Sequence, residues 1–171
     1  MLERIVQRFL RIVRLDTAVY REIQHDRNAL AEAAVVVTVA SLLAALGVGL
    51  GAPRFIGGFA VEFLAGILLY WLLWSWITML VGTRAFGSHA TLIEVARPLG
   101  YANGSRALGI LSVIGCIFGP LVGLAAWVLS LVIGVIAVRE AMELTTERAI
   151  VTAMVGWVVV VLARILLALI V

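Results

Sequence analysis

The chain has 171 residues, 64% of them hydrophobic and only 13% charged, with a formal net charge of +3. Soluble domains are about 45–50% apolar and about 25% charged. The composition therefore excludes an ordinary water-soluble globule and points to lipid as the solvent, with room for one helical bundle and no separate soluble domain.

All thirteen basic residues are arginine. Guanidinium forks suit phosphates, and a GC-rich genome yields the same bias. The charge lies in short segments between apolar runs, where anionic lipid headgroups are nearer partners than nucleic acid. The single cysteine, Cys116, rules out an internal disulfide and sits in an apolar run as a small hydrophobe. No signal peptide is expected, because arginines interrupt the first apolar residues.

Residues 1–15 are predicted to be an amphipathic helix. Leu2, Ile5, Val6, Phe9, Leu10, Ile12 and Val13 fall on one half of the wheel, and Glu3, Arg4, Gln7, Arg8, Arg11 and Arg14 on the other. The basic face of Arg4, Arg8, Arg11 and Arg14 suits an interfacial helix on anionic lipid, or one docked on its own protein; both can hold at once. A second short amphipathic stretch runs from Asp16 to His25, with Asp16 as N-cap. Residues 1–28 thus form a cytoplasmic segment ahead of a transmembrane domain, 29–171.

The first span covers about 29–50 and is ended by Gly47, Gly49, Gly51 and Pro53. The second, about 55–82, is long, roughly 40 Å at 1.5 Å per residue. Tyr70, Trp71, Trp74 and Trp76 crowd its second half, as an interfacial belt does. Residues 83–106 are the longest polar connection, in which Thr91-Leu92-Ile93-Glu94 fits a capping box and Pro98 bends or ends the short helix. The run 107–138 holds either one kinked helix or a hairpin, with spans about 103–118 and 121–138. Gly115, Gly119 and Gly123 have the spacing of helix-packing glycines. The last span covers about 147–171, opened by Thr145 or Thr146.

Arginine placement arbitrates. Five spans put eleven arginines on one side and Arg54 alone on the other, a strong positive-inside bias; four spans weaken it. The expected fold is all-α: a polytopic bundle of five transmembrane helices behind an N-terminal interfacial helix, N-terminus cytoplasmic and C-terminus external. Two charges stand inside spans, Glu62 and Arg164. Each lies about seven residues, roughly 10 Å, inside the outer end of its span. Antiparallel neighbours at matched depth predict an intramembrane ion pair between them.

Catalytic constellations, cofactor motifs and metal-ligand spacings are absent from the sequence, and His25 and His89 stand far apart. The chain resembles bacterial members of the Yip family, whose eukaryotic relatives interact with Ypt/Rab GTPases. The likeness lies in three stretches: Arg14-Leu15-Asp16 through Val19-Tyr20-Arg21-Glu22-Ile23 to Asp26; Leu80-Val81-Gly82-Thr83, Phe86-Gly87-Ser88, Thr91-Leu92 and Leu99-Gly100-Tyr101-Ala102; and Val138-Arg139-Glu140-Ala141 with Thr145-Thr146 and Arg148-Ala149-Ile150. A proline common shortly after the Tyr-Ala element is replaced by Asn103-Gly104-Ser105-Arg106. The resemblance implies five spans, a cytoplasmic N-terminus and a role in membrane organisation or partner binding. The expectation is a non-enzymatic scaffold or accessory subunit of the bacterial cytoplasmic (inner) membrane, without cofactors. Its partners are anionic lipid and other membrane proteins or a second copy of itself. The alternative is a small transporter or channel.

Overall fold

In the computed structural model, residues 1–14, 16–51, 54–114 and 118–170 are described. Among them there is helix and no strand. Helix α1 (Leu2–Val13) and helix α2 (Ala18–His25) precede α3 (Ala29–Gly51). Helix α4 (Phe55–Ile67) passes through a π-helical segment (Leu68–Leu73) into α5 (Trp74–Phe86). Helix α6 (Leu92–Ala102) continues into a 3₁₀ segment (Asn103–Ile114), and α7 (Phe118–Met142) and α8 (Thr146–Ile170) complete the chain.

Local chemistry accounts for several boundaries. The Asp16 carboxylate accepts the Ala18 N–H at 3.1 Å and starts α2; the Asp26 carboxylate does the same for Asn28 at 2.9 Å ahead of α3. Helix α5 stops at Gly87, whose φ of 69° lies in the left-handed region open to glycine. The reciprocal Thr91–Glu94 capping box is present and opens α6.

Among the described residues, four helical stretches are long and apolar enough to cross a membrane: Ala29–Leu50, Phe55–Phe86, Gly123–Met142 and Thr146–Leu169. The packing is that of a membrane bundle. Large apolar side chains such as Leu42, Ile56, Leu64, Leu124, Leu162 and Leu169 face outward, while Ala33, Ala40, Ala44, Ala45, Ala137, Ala149 and Ala153 fill the interior. Lipid offers no hydrophobic drive for helices to associate, so small residues that admit close approach take the interfaces.

The segment read from sequence as a polar connection, 83–106, is only partly that. Helix α6 buries Val95, Ala96, Leu99, Tyr101 and Ala102 and packs against α3, α5 and α7. Pro98 sits inside α6 without ending it. The 3₁₀ segment follows directly on α6 and packs against α3 and α7. The expected span 103–118 falls, as far as it is described, in the 3₁₀ segment that follows α6. The next span, expected from 121, lies within α7, which runs from Phe118 to Met142 and whose stretch apolar enough to cross a membrane is Gly123–Met142.

The aromatic cluster also departs from expectation. Trp71 and Trp74 are buried and donate their indole N–H groups to the Ala96 carbonyl at 2.8 Å and the Ala153 carbonyl at 3.2 Å. Only Trp76 is strongly exposed, so the cluster ties passes together more than it forms a belt. The Trp74 indole reaches from Gly134 at its six-membered ring to Gly156 at its five-membered ring; a Cβ at Gly156 would stand 2.7 Å from it. These glycines mediate close packing. Of the three picked out by spacing, Gly115 is outside the described residues, as is Cys116, and Gly119 lies in the first turn of α7. Among the described residues, a Cβ on Gly123 would meet nothing within 4 Å, and Gly123 lines a cavity.

Candidate functional site

Two charged clusters stand at opposite ends of the bundle. The first joins α1, α2, α3 and α6. Arg8 is 6% exposed, which corrects its expected place on an outward basic face. Its guanidinium donates to Glu32 at 2.5 Å, to Asp26 at 2.7 Å and to Glu22 at 3.0 Å. Glu32, 1% exposed, also accepts the Tyr101 hydroxyl at 2.7 Å and pairs with Arg4 at 3.1 Å. Arg11 bridges Asp16 and Glu22, each at 2.7 Å. Arg14 is exposed.

The physical reason for this arrangement is desolvation. Glu32 in the first turn of α3 is an expensive anion once α6 covers it, and Arg8 repays that cost only by reaching inward. The expectation had also placed the apolar half of α1 as one face. The structure splits it: Ile12 is buried with Ile5 and Phe9 beside the protein, while Leu2, Val6 and Leu10 are exposed. The cluster sets its own ionisation. The hydrogen bond from Arg8 holds the Asp26 carboxyl below the usual range, and that from Arg11 does the same for Glu22. These carboxylates in turn raise the Arg8 guanidinium against the opposing effect of burial.

Helix α2 is fastened beside this cluster. Gln24 Nε2 donates to the Ala141 carbonyl at 2.7 Å, Arg97 donates to the Gln24 carbonyl at 2.5 Å, and Arg21 pairs with Glu140 at 3.2 Å. His25 and His89 do not meet. The His25 ring contacts the Arg21 carbonyl at 2.8 Å, and His89 lines a groove of about 390 Å³ with Phe86, Glu94 and Arg148.

The second cluster lies toward the other end. Arg164 of α8 and Glu62 of α4 stand 3.3 Å apart. Glu62 has a second partner that sequence reasoning missed: Arg106 of the 3₁₀ segment pairs with its other oxygen. The sequence places Arg106 in the inner connection, because 83–106 reads as polar. Its guanidinium also lies over the Tyr70 ring, 4.0 Å from the centroid. The π-helical turn positions this wall, since the Tyr70 carbonyl accepts Asn103 Nδ2 at 2.9 Å and ties the second pass to the start of the 3₁₀ segment. Glu62 is 8% exposed. A Cβ at Gly66 would collide with the Ser41 hydroxyl, so glycine there lets α3 and α4 close around the cluster.

The second cluster shares one carboxylate between two guanidinium groups. Among the described residues, no three of His, Cys, Asp and Glu are grouped to hold a metal ion.

Comparison with known proteins decides the family. The Yip1 domain matches residues 12–168, nearly the whole chain. The chain belongs to the Yip1 domain family. No curated protein and no solved structure matches it. Within this Yip1 domain fall both clusters apart from Arg4, Arg8 and Arg11, which precede the matched residues.

Proposed function

We propose that this Yip1 domain protein is a non-enzymatic membrane scaffold or accessory subunit, set in a bacterial cytoplasmic membrane with its N-terminus inside and its C-terminus outside. One observation carries the reading. Helix α1 is held on the bundle by buried ion pairs yet leaves Leu2, Val6 and Leu10 exposed in an i, i+4, i+8 row. A row fixed in place by charge and left apolar on its outer side suits the inner lipid interface or a partner helix there. Arg8, turned inward, is not available to lipid; Arg14 and the half-exposed Arg4 supply the attraction to anionic headgroups.

Five passes accompany this reading. The third consists of α6, about 16 Å long, and the 3₁₀ segment. Twelve residues rise about 24 Å in 3₁₀ geometry, against about 18 Å as α-helix. Together they reach about 40 Å, enough for a hydrocarbon core of about 30 Å. Moving Arg106 from the inner side into this pass leaves ten arginines inside and still one, Arg54, outside.

Purification in mild detergent tests the role. A stoichiometric membrane partner or a defined homo-oligomer is expected, and it should be lost on Leu2→Glu/Val6→Glu substitution. Selective solute flux in proteoliposomes, with no partner recovered, would overturn the scaffold in favour of a small transporter or channel.

A further inference from the structure

The outer cluster carries a net positive charge inside the bundle. Two guanidinium groups, Arg106 and Arg164, face one carboxylate, Glu62. Glu62 lies about 10 Å along α4 from its outer end. An uncompensated charge at such a depth is costly, and a singly charged anion would close the balance. Space for one adjoins the cluster on both sides. A cavity of about 180 Å³ is lined by Glu62, Tyr70 and Arg106 together with Ala44, Gly109, Gly123 and Ala126. A second, of about 160 Å³, is lined by Arg164, Gly57, Gly58 and Val61. Val48 lines both and is 40% exposed, so the two open on the outer flank of the bundle.

We propose that this paired cavity binds the singly charged phosphate of a phosphodiester, carried by a lipid whose chain lies along the small-residue wall. Guanidinium is the cation suited to a phosphate, since its fork offers two parallel donors. Arg106 is already oriented by Glu62 and by the Tyr70 ring. Arg164 is 28% exposed at its side chain and has room to turn toward an oxygen. The wall of Ala44, Gly109, Gly123 and Ala126 presents no polar side chain and suits hydrocarbon. No described residue would meet a Cβ on Gly123, which lines the cavity and is then part of the chain slot.

Native mass spectrometry of the full-length protein tests this, with phosphatidylglycerol, zwitterionic phosphatidylcholine and phosphate-free diacylglycerol as probes. Phosphatidylglycerol should be retained at least about tenfold more than the other two. Gly123→Val fills the slot without touching a charge, and should abolish the preference while the protein stays helical and monodisperse. Arg106→Gln should abolish it as well. A thermal-shift titration with inorganic phosphate separates the sources: stabilisation that phosphatidylglycerol does not give, and that Arg106→Gln removes, assigns the same site to the free anion. Equal retention of the three lipids with no phosphate response, or a preference unchanged in Gly123→Val, overturns the proposal.

Discussion

The inner and outer clusters solve the same problem, charge away from water, in opposite ways. The inner one sets three arginines against four carboxylates and a tyrosine, on four helices that reach the surface. Arg8 has three acidic partners, so losing one leaves two. Among the described residues, the outer one has a single carboxylate with two cations, and losing Glu62 leaves neither with an acidic partner there. Redundancy at a wet end and dependence on one residue within the bundle give the two regions different responses to the same type of substitution.

The largest effect is expected at Glu62. Glu62→Gln leaves two guanidinium groups without a counter-charge, and breaking a buried pair costs about 3–5 kcal/mol. Thermal unfolding in detergent should show it as a large drop in midpoint. Combining Glu62→Gln with Arg106→Gln should cost less than the sum of the two single changes. Additive costs would remove the idea that the residues act as a unit.

Glu32→Gln should cost less, about 1.5–3 kcal/mol, the range for hydrogen bonds to a charged group. Arg8 retains Asp26 and Glu22, and the amide still accepts from Tyr101. If this substitution proves more damaging than Glu62→Gln, the ranking of the two regions is reversed and the redundancy argument fails.

Acid should separate the regions next. The Asp26 and Glu22 carboxyls are held below their usual values of 3.8 and 4.5 by Arg8 and Arg11. A carboxyl lowered on folding stabilises the folded state above its unfolded pKa, and that contribution is lost as pH falls through the folded one. Hydrogen exchange in residues 2–13 should therefore stay slow from pH 7 to about 4.5 and quicken only below about 4. Loosening of α1 as the pH rises would contradict the sign. The smallest effect is expected for Arg21→Gln, whose side chain is 61% exposed in its pair with Glu140. Its cost should stay below about 1 kcal/mol in the same unfolding measurement.

The parts visible in the sequence were those governed by local pattern. Hydropathy located α3, the α4–α5 pass and α8, and the Thr91–Glu94 box marked the start of α6. Matched depth in antiparallel passes set Glu62 opposite Arg164, and they stand 3.3 Å apart. Arg106 is hidden from sequence reasoning because Pro98, Asn103, Gly104 and Ser105 make α6 and the 3₁₀ segment read as a loop. A bundle interior accepts such residues when neighbours satisfy them: Asn103 donates to the Tyr70 carbonyl and Ser105 to the Ala102 carbonyl. Arg8 was misjudged because a helical wheel shows which residues share a face and not which face turns inward. The deciding partner, Glu32, lies 24 residues away at the start of an apolar run. Trp71 and Trp74 went the same way, since an aromatic cluster near a boundary has one composition whether it faces lipid or a neighbouring helix.

The proposed two-ended arrangement sets the first cluster at the inner membrane face and the second within the membrane toward the outer face, with five passes between the termini. Reporter fusions test this most directly. Fusions after Gly87 and after Met142 should report the cytoplasm, and fusions after Arg54 and at Val171 the exterior. An external signal at Met142, or a cytoplasmic one at Val171, would contradict the five-pass bundle and place both clusters differently.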